Sequence, residues 1–418
     1  MNSLSSSRGA RSSMRPGVAA VALAVATLVV PSAALAQEAL RPEVGRPLQA
    51  AQELIKAQRF KEALAKVRDA EAVGGKNANE SFMIERMRIA AASGAGEVDV
   101  AARSFEALSG SSRVSAADKV RMIESIAGGY YRARDYPKAM QWAQRYFREG
   151  GTNGAIRTLL IQSQYLSGDF AGAAKELTTE IQAAERNGTA PAEDRLKLLL
   201  NAALKLNDNN AYVFAMEKLV TYYPQKEYWV DLLTRLQRKP NFSDRLSLDT
   251  YRLSLASGSM SAANDYMEMA QLALQAEFAA ESKQVVDKGF ASGALGTGAQ
   301  AERHKRLRDL VAKRLDEEKK TLAEGEKQAL AAKDGNALVN VGMNLVFNGQ
   351  SAKGLQLMQQ GIAKGGLKRP EDAKLHLAIA YLLAGDNVKA QAAFKTVSGN
   401  DGTSDLARLW TLYARRKG

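Results

Sequence analysis

A recurrence with a spacing in the mid-thirties governs what this chain can become. Alanine- and glycine-marked helical patterns begin near Val44, Phe82, Val120, Gly154, Glu193, Tyr228, Ala262, Gly298, Gly335 and Glu371, at intervals of 38, 38, 34, 39, 35, 34, 36, 37 and 36 residues. A unit that short cannot bury its own apolar face. It must lean on its neighbours, so such a chain stacks helix pairs rather than enclosing one globular core. The interval sets the architecture and leaves the bound molecule open.

The clearest unit runs from Asp372 to Val397. Leu375, Leu377, Ala378, Tyr381 and Leu382 recur at helical spacing and give one apolar face. Gly385-Asp386-Asn387 interrupts, because glycine accepts the backbone geometry of a helix end at low cost. A second helix follows, with Ala390, Ala393, Phe394 and Val397 on its inner side. The same grammar appears where Tyr130-Tyr131 leads into Asp135-Tyr136-Pro137-Lys138-Ala139, and where Gln164-Tyr165-Leu166 leads into Gly168-Asp169-Phe170 and Ala173. It recurs at Phe60 to Leu64 and at Phe347-Asn348-Gly349-Gln350, and Pro224 closes the fifth unit.

This signature resembles the tetratricopeptide repeat (TPR) family: a small and a large residue three apart in the first helix, a Gly-Asp-aromatic turn, then an alanine early in the second. The resemblance implies an all-α, right-handed α-solenoid of about ten TPR-like helix pairs, with the first helices lining a concave groove. Two units depart from the pattern. The one from Tyr228 has Ser247 in place of the alanine, and Gly298 to Asp334 keeps only the length and the helical character.

The segments are therefore read as follows. Residues 1–36 are a cleaved secretory signal, 37–43 a short linker, and 44–227 TPR-like repeats one to five. Residues 228–334 are degenerate helical repeats, 335–402 repeats nine and ten, and 403–418 a C-terminal capping helix. The signal reading rests on Arg8, Arg11 and Arg15, the apolar run Gly17 to Val30, and the small-residue site Ala34-Leu35-Ala36. That run is 14 residues long, against the ~20 needed to cross a bilayer. Cleavage after Ala36 leaves no membrane-spanning stretch. For the cap, Thr403-Ser404-Asp405 offers helix-starting side chains, and Leu406, Leu409, Trp410 and Tyr413 form an apolar stripe to cover the last repeat.

Cysteine is absent, which removes disulfides, thiolate metal sites and cysteine nucleophiles. An exported cysteine-free chain fits the bacterial periplasm better than an animal secretory route. The formal net charge is +13, and +10 once the three arginines of the signal are gone. Export argues against nucleic acid as the partner. Proteins or peptides of the cell envelope are expected instead, with anionic envelope polymers as a second class; the oligomeric state is left open.

Raw material for catalysis is scarce. His304 and His376 are the only histidines and neither has a ligand-spaced partner, so no metal or cofactor is expected. His376 lies beside an apolar helix face and reads as a packing residue. No P-loop, nucleophile elbow or S-x-x-K pair is present. The glycine-rich stretch Gly289 to Gly298 lacks the preceding strand that a dinucleotide loop needs and reads as a connector. The basic cluster Arg303-His304-Lys305-Arg306 with Arg308 reads as a solvated helix face.

The groove positions implied by the resemblance include Arg121, Glu124, Tyr131 and Arg132 in unit three, Gln162 and Tyr165 in unit four, and Lys197 and Asn201 in unit five. Tyrosine, arginine, lysine and amides suit the binding of peptide backbone and carboxylates. Lys197 and Asn201, four apart, match part of a carboxylate clamp known in the family. The other elements of that clamp are missing from the next two first helices, so a solvated polar groove is the favoured reading. The function expected is a non-catalytic periplasmic scaffold for protein–protein interaction. An envelope polysaccharide or peptidoglycan binder is one alternative, and a helical toroid enzyme another.

Overall fold

The computed structural model describes residues 40–416. The segment read as a secretory signal, its expected cleavage point, most of the expected linker, and Lys417 and Gly418 lie outside these residues. The described residues are helices and turns, without strands, and fall into two compact units that divide between Glu176 and Leu177.

Unit one contains α1 (Pro42–Lys56), α2 (Phe60–Glu71), α3 (Ala78–Ala95), α4 (Val98–Ser109), α5 (Ala116–Arg132), α6 (Tyr136–Arg148), α7 (Gly154–Leu166) and the start of α8 (Phe170–Arg186). Successive helices form short-linked pairs. First helices also touch one another, α1 with α3, α3 with α5 and α5 with α7. This is the stacking that the repeat interval and the TPR resemblance imply. Its core is small and aliphatic: Ala63, Ala101, Ala139 and Ala173 stand at the same place in successive second helices and are fully buried. A small residue there lets the paired helix approach closely.

One turn closes nearly every pair. A residue in the left-handed region ends the first helix, and the next amide bonds back to a carbonyl of the preceding turn. The bonds are Arg59 N to Leu54 O at 2.8 Å, Glu97 N to Ala92 O at 2.9 Å and Asp135 N to Tyr130 O at 3.0 Å. In unit two they recur as Asp208 N to Ala203 O at 2.9 Å, Phe278 N to Ala273 O at 2.8 Å, Gln350 N to Leu345 O at 2.9 Å and Asp386 N to Tyr381 O at 2.9 Å. The left-handed residue is glycine at Gly96, Gly349 and Gly385. It is Gln58 (φ 59°), Arg134 (φ 60°), Asn207 (φ 54°) or Glu277 (φ 63°) elsewhere.

Unit two contains α9 (Glu193–Leu206), α10 (Asn209–Tyr222), α11 (Lys226–Gln237), α12 (Ser247–Ser257), α13 (Ala263–Gln275), α14 (Ala279–Ala291), α15 (Ala301–Ala331), α16 (Asn336–Phe347), α17 (Ser351–Lys364), α18 (Pro370–Leu383), α19 (Asn387–Phe394) and α20 (Thr403–Arg415). The weak stretch at 298–334 is filled by one 31-residue helix, α15, and not by a pair. A narrow stripe of α15 is buried, through His304, Leu307, Val311 and Ala329, and most of its charged residues face water. Gly289 to Gly298 ends α14 and connects to α15, as expected of a linker. There His304 Nδ1 accepts the Gly296 amide at 3.0 Å.

Unit two does not propagate as a straight stack. It doubles back about α15, so that α20 lies on α10 and α12, α18 meets α12, and α16 lies on α14. The terminal helix is therefore more than a lid. It covers the last repeat through Phe394, stacked on Trp410 at 6.0 Å, and it also reaches back to Trp229 of α11 through Tyr413 at 6.4 Å. Eight of its thirteen residues are buried, which one-sided capping would not produce. Its start differs from the sequence reading too. Thr403 is the first helical residue rather than the cap, and the Asp401 carboxylate accepts both the Thr403 amide (3.2 Å) and its hydroxyl (2.6 Å).

Candidate functional site

The candidate groove residues of unit one stand on two neighbouring first helices, α5 and α7. Tyr131 near the end of α5 donates its hydroxyl proton to Gln162 Oε1 of α7 at 2.7 Å. Its ring meets Tyr136 edge-on at 5.7 Å, and burial pushes its pKa up, so it stays a neutral donor. Glu124 accepts from Asn153 Nδ2 at 2.8 Å, which ties α5 to the N-terminus of α7. Tyr165 packs edge-on to Phe170 at 5.2 Å.

The cations of this face differ in restraint. Arg121 pairs with Asp118 at 2.6 Å while remaining 56% exposed. Burial works against the Asp118 charge. Hydrogen bonds from Ser115 and Arg121 and the nearby Arg86 charge outweigh it and hold the carboxyl below its ordinary range. Arg132 is exposed, as is the apolar side chain of Leu166 next to Tyr165. The structure thus joins Tyr131 to Gln162 and spreads Arg121, Glu124, Arg132 and Tyr165 around them. Guanidinium forks beside half-buried tyrosines can bind carboxylates and peptide amides.

Lys197 and Asn201 stand on α9 in unit two. Lys197 Nζ meets Glu193 Oε1 at 2.8 Å, and Tyr228 of α11 donates to the same oxygen at 3.1 Å. The Glu193 bond raises the Lys197 pKa and lowers that of Glu193. A carboxylate from within the chain already occupies the lysine. Asn201 is exposed beside Leu204.

His376 departs from the sequence reading. It is not a packing residue: its Nε2 lies 3.1 Å from Asp249 Oδ2 of α12, across the doubled-back seam. Asp249 is buried and also takes Arg252 Nη1 at 2.6 Å, while Arg252 forks onto Glu281 of α14 at 2.7 and 2.6 Å. The Arg252 guanidinium lies 5.4 Å from the rings of both Phe278 and Phe347. Burial opposes the Asp249 charge. The charges of His376 and Arg252, with their hydrogen bonds, overcome it and hold the carboxyl well below the usual range. The four ionisable groups come from α12, α14 and α18. Asp249 and Arg252 stand three apart on α12, but no spacing links them to Glu281 or His376.

Two hollows lie away from these residues. A cleft of about 320 Å³ in unit one is lined by Arg68, Glu71, Glu85, Arg88, Arg103 and Ser104, but Arg88 already pairs with Glu71 (2.7 Å) and Glu85 (2.6 Å). Another of about 390 Å³ lies in unit two beside Val230, Asp231 and Ser259. Among the described residues no cluster of three or more His, Asp and Glu could hold a metal ion, and no helix is long and apolar enough to cross a membrane.

No protein-family model matches the chain, and no curated protein matches it. Among solved structures, the chain is similar to the crystal structure of yeast Tom70 at 11% identity, with 89% of this chain and 96% of that one covered and a TM-score of 0.24. It is also similar to the APC/C hetero-tetramer Cut9-Hcn1, at 11% identity, with 87% and 75% covered and a TM-score of 0.22.

Proposed function

We propose that this protein is an exported, non-catalytic repeat scaffold that binds a protein or peptide of the bacterial cell envelope on the first-helix face of unit one. The observation that carries the reading is the α5–α7 face. It holds Arg132 exposed next to Tyr131, Arg121 exposed nearer the start of α5, and Tyr165 on α7, with Gln162 fixed by the Tyr131 hydroxyl. Within unit one the first helices α1, α3, α5 and α7 stack on one another, and Arg121, Arg132 and Leu166 remain exposed on them. The non-catalytic reading rests on the missing nucleophile and phosphate-loop motifs, and His304 is buried against a backbone amide. Export to the periplasm rests on the basic, apolar and small-residue order of residues 1–36 and on the absence of cysteine.

Affinity capture from periplasmic extract tests the reading. Wild type should retain a protein partner that the double variant Arg121→Ala/Arg132→Ala loses, with both proteins equally helical by circular dichroism. Identical capture by both, or capture of glycan with no protein, would count against it. Mass spectrometry of the exported protein should find Gln37 as the first residue; a retained Arg8 or Arg15 peptide would refute the cleavage.

A further inference from the structure

The link between α11 and α12 packs against the C-terminal repeats. Residues 238–246 read Arg-Lys-Pro-Asn-Phe-Ser-Asp-Arg-Leu. This connection is long and irregular up to the short 3₁₀ turn at Asp244–Leu246, unlike the tight turns that close most pairs. Phe242 N bonds back to Lys239 O at 3.0 Å, with Pro240 at the second position, where its fixed φ favours a turn. The turn presents Lys239, Phe242 and Arg245, three residues apart each time, to the C-terminal repeats.

Each is met by a built partner. Lys239 Nζ pairs with Asp405 at 2.7 Å. Arg245 forks onto Asp372 at 2.9 and 2.8 Å, and its Nη2 also reaches Asp401 at 2.7 Å and the Thr403 hydroxyl at 3.1 Å. The backbone takes part, with Ser243 N donating to Asp401 O at 2.9 Å and Asn241 Nδ2 reaching Asn400 O at 3.4 Å. Phe242 lies against Gly402, whose φ of 97° suits glycine and where any Cβ would fall within 2.9 Å of the ring edge. The receiving groups lie 127 to 166 residues further along the chain. Lys239 is 38% exposed and Arg245 21%, so the site opens to water at its rim.

We propose that Asp372, Asp401, Asp405, Gly402 and Thr403 form a peptide-recognition site, occupied in the resting protein by the chain's own 239–245 turn. A partner segment with a cation, an aromatic and an arginine at i, i+3 and i+6 displaces that turn. Recognition uses residues of the turn and none of the flanking helices, so a short peptide carries the whole epitope. Bidentate arginine on one carboxylate, a second carboxylate on the same guanidinium and backbone pairing are the contacts that specify such a segment. The tethered turn competes at an effective concentration near millimolar, which keeps weak ligands out. This site lies in unit two and does not depend on the face proposed for unit one.

The test uses the full chain and a labelled peptide of residues 238–246. The variant Lys239→Ala/Phe242→Ala/Arg245→Ala, shown folded by hydrogen exchange, should bind the peptide at least ten-fold more tightly than wild type. Adding Asp372→Asn/Asp401→Asn should abolish that binding, and a scrambled peptide should not bind. Should the triple variant fail to fold, Arg245→Gln alone, with peptide-induced protection of residues 400–403, serves instead. A folded, emptied variant that binds no better than wild type overturns the proposal. So does a wild-type dimer that dissociates on Arg245→Gln, since the resident would then be a second copy's turn.

Discussion

Two glycines inside helices should respond in opposite directions to the same substitution. Gly342 of α16 faces α17 so closely that an added Cβ would lie 2.6 Å from the Gly354 carbonyl oxygen and 2.9 Å from the Met358 amide nitrogen. Both are backbone atoms, which no change of side-chain rotamer can move. The clash is roughly 1 Å inside the ~3.5 Å at which carbon contacts turn attractive, so the two helices must part. Overpacking of this kind costs about 1–3 kcal/mol, and a backbone clash belongs at the upper end. Helix propensity returns about 1 kcal/mol on Gly→Ala, leaving Gly342→Ala destabilised by about 2 kcal/mol. Gly325 of α15 has no atom within 4 Å of an added Cβ and isolates the propensity gain. Gly325→Ala should therefore stabilise by up to about 1 kcal/mol. At about 2–4 °C per kcal/mol for a unit of this size, scanning calorimetry should show Gly342→Ala melting about 4–8 °C low and Gly325→Ala slightly high. If Gly342→Ala melts at or above wild type, the close approach of α16 and α17 is wrong.

Other consequences are equally checkable. Glu281→Gln leaves Arg252 buried with half its pairing and should cost about 3–5 kcal/mol by urea denaturation, while the surface change Glu302→Gln should leave the midpoint unmoved. Glu80 takes Arg41 and the Asn77 amide, and these hydrogen bonds lower its pKa to about 2. A depressed folded pKa means its contribution is intact above the ordinary carboxyl range and disappears as pH falls toward 2. An acid titration followed by exchange in α1 and α3 should show this, and Arg41→Ala should flatten it. Arg134 holds a left-handed φ of 60°, so Arg134→Gly should raise stability by up to about 1 kcal/mol in thermal melts. Deleting residues 404–418 should lower the melting temperature of unit two and expose Trp229 to a fluorescence quencher. An unchanged Trp229 signal would show that α20 does not cover it.

The repeat interval was legible because stacking is local: Ala63, Ala139 and Ala390 each meet a helix nearby in sequence, so their spacing encodes their packing. The turns were only half legible. Gly168, Gly349 and Gly385 announce themselves, whereas Arg134 and Glu277 adopt the same conformation through the backbone bond that closes the turn. The doubling back was not legible at all. Asp249 and His376 lie 127 residues apart and carry no periodic signal, and Trp410 looks alike whether it covers one neighbour or several. Among the candidate groove residues, Tyr131 and Gln162 were brought into contact because they sit on adjacent first helices. Lys197 was taken by Glu193, one helical turn away, a pairing that spacing could have shown.

The return of α20 to α10 and α12 changes how unit two must acquire its shape. A linear repeat array can form piecemeal, each pair settling as soon as its neighbour exists. Here Trp229, Phe242 and the flank of α10 stay uncovered until the last thirteen-residue helix has been made and delivered. During synthesis the growing chain holds a half-built interface from Trp229 until α20 is made. Its completion is therefore a single late event, with non-local contacts slowing the search and exposing aggregation-prone surface meanwhile.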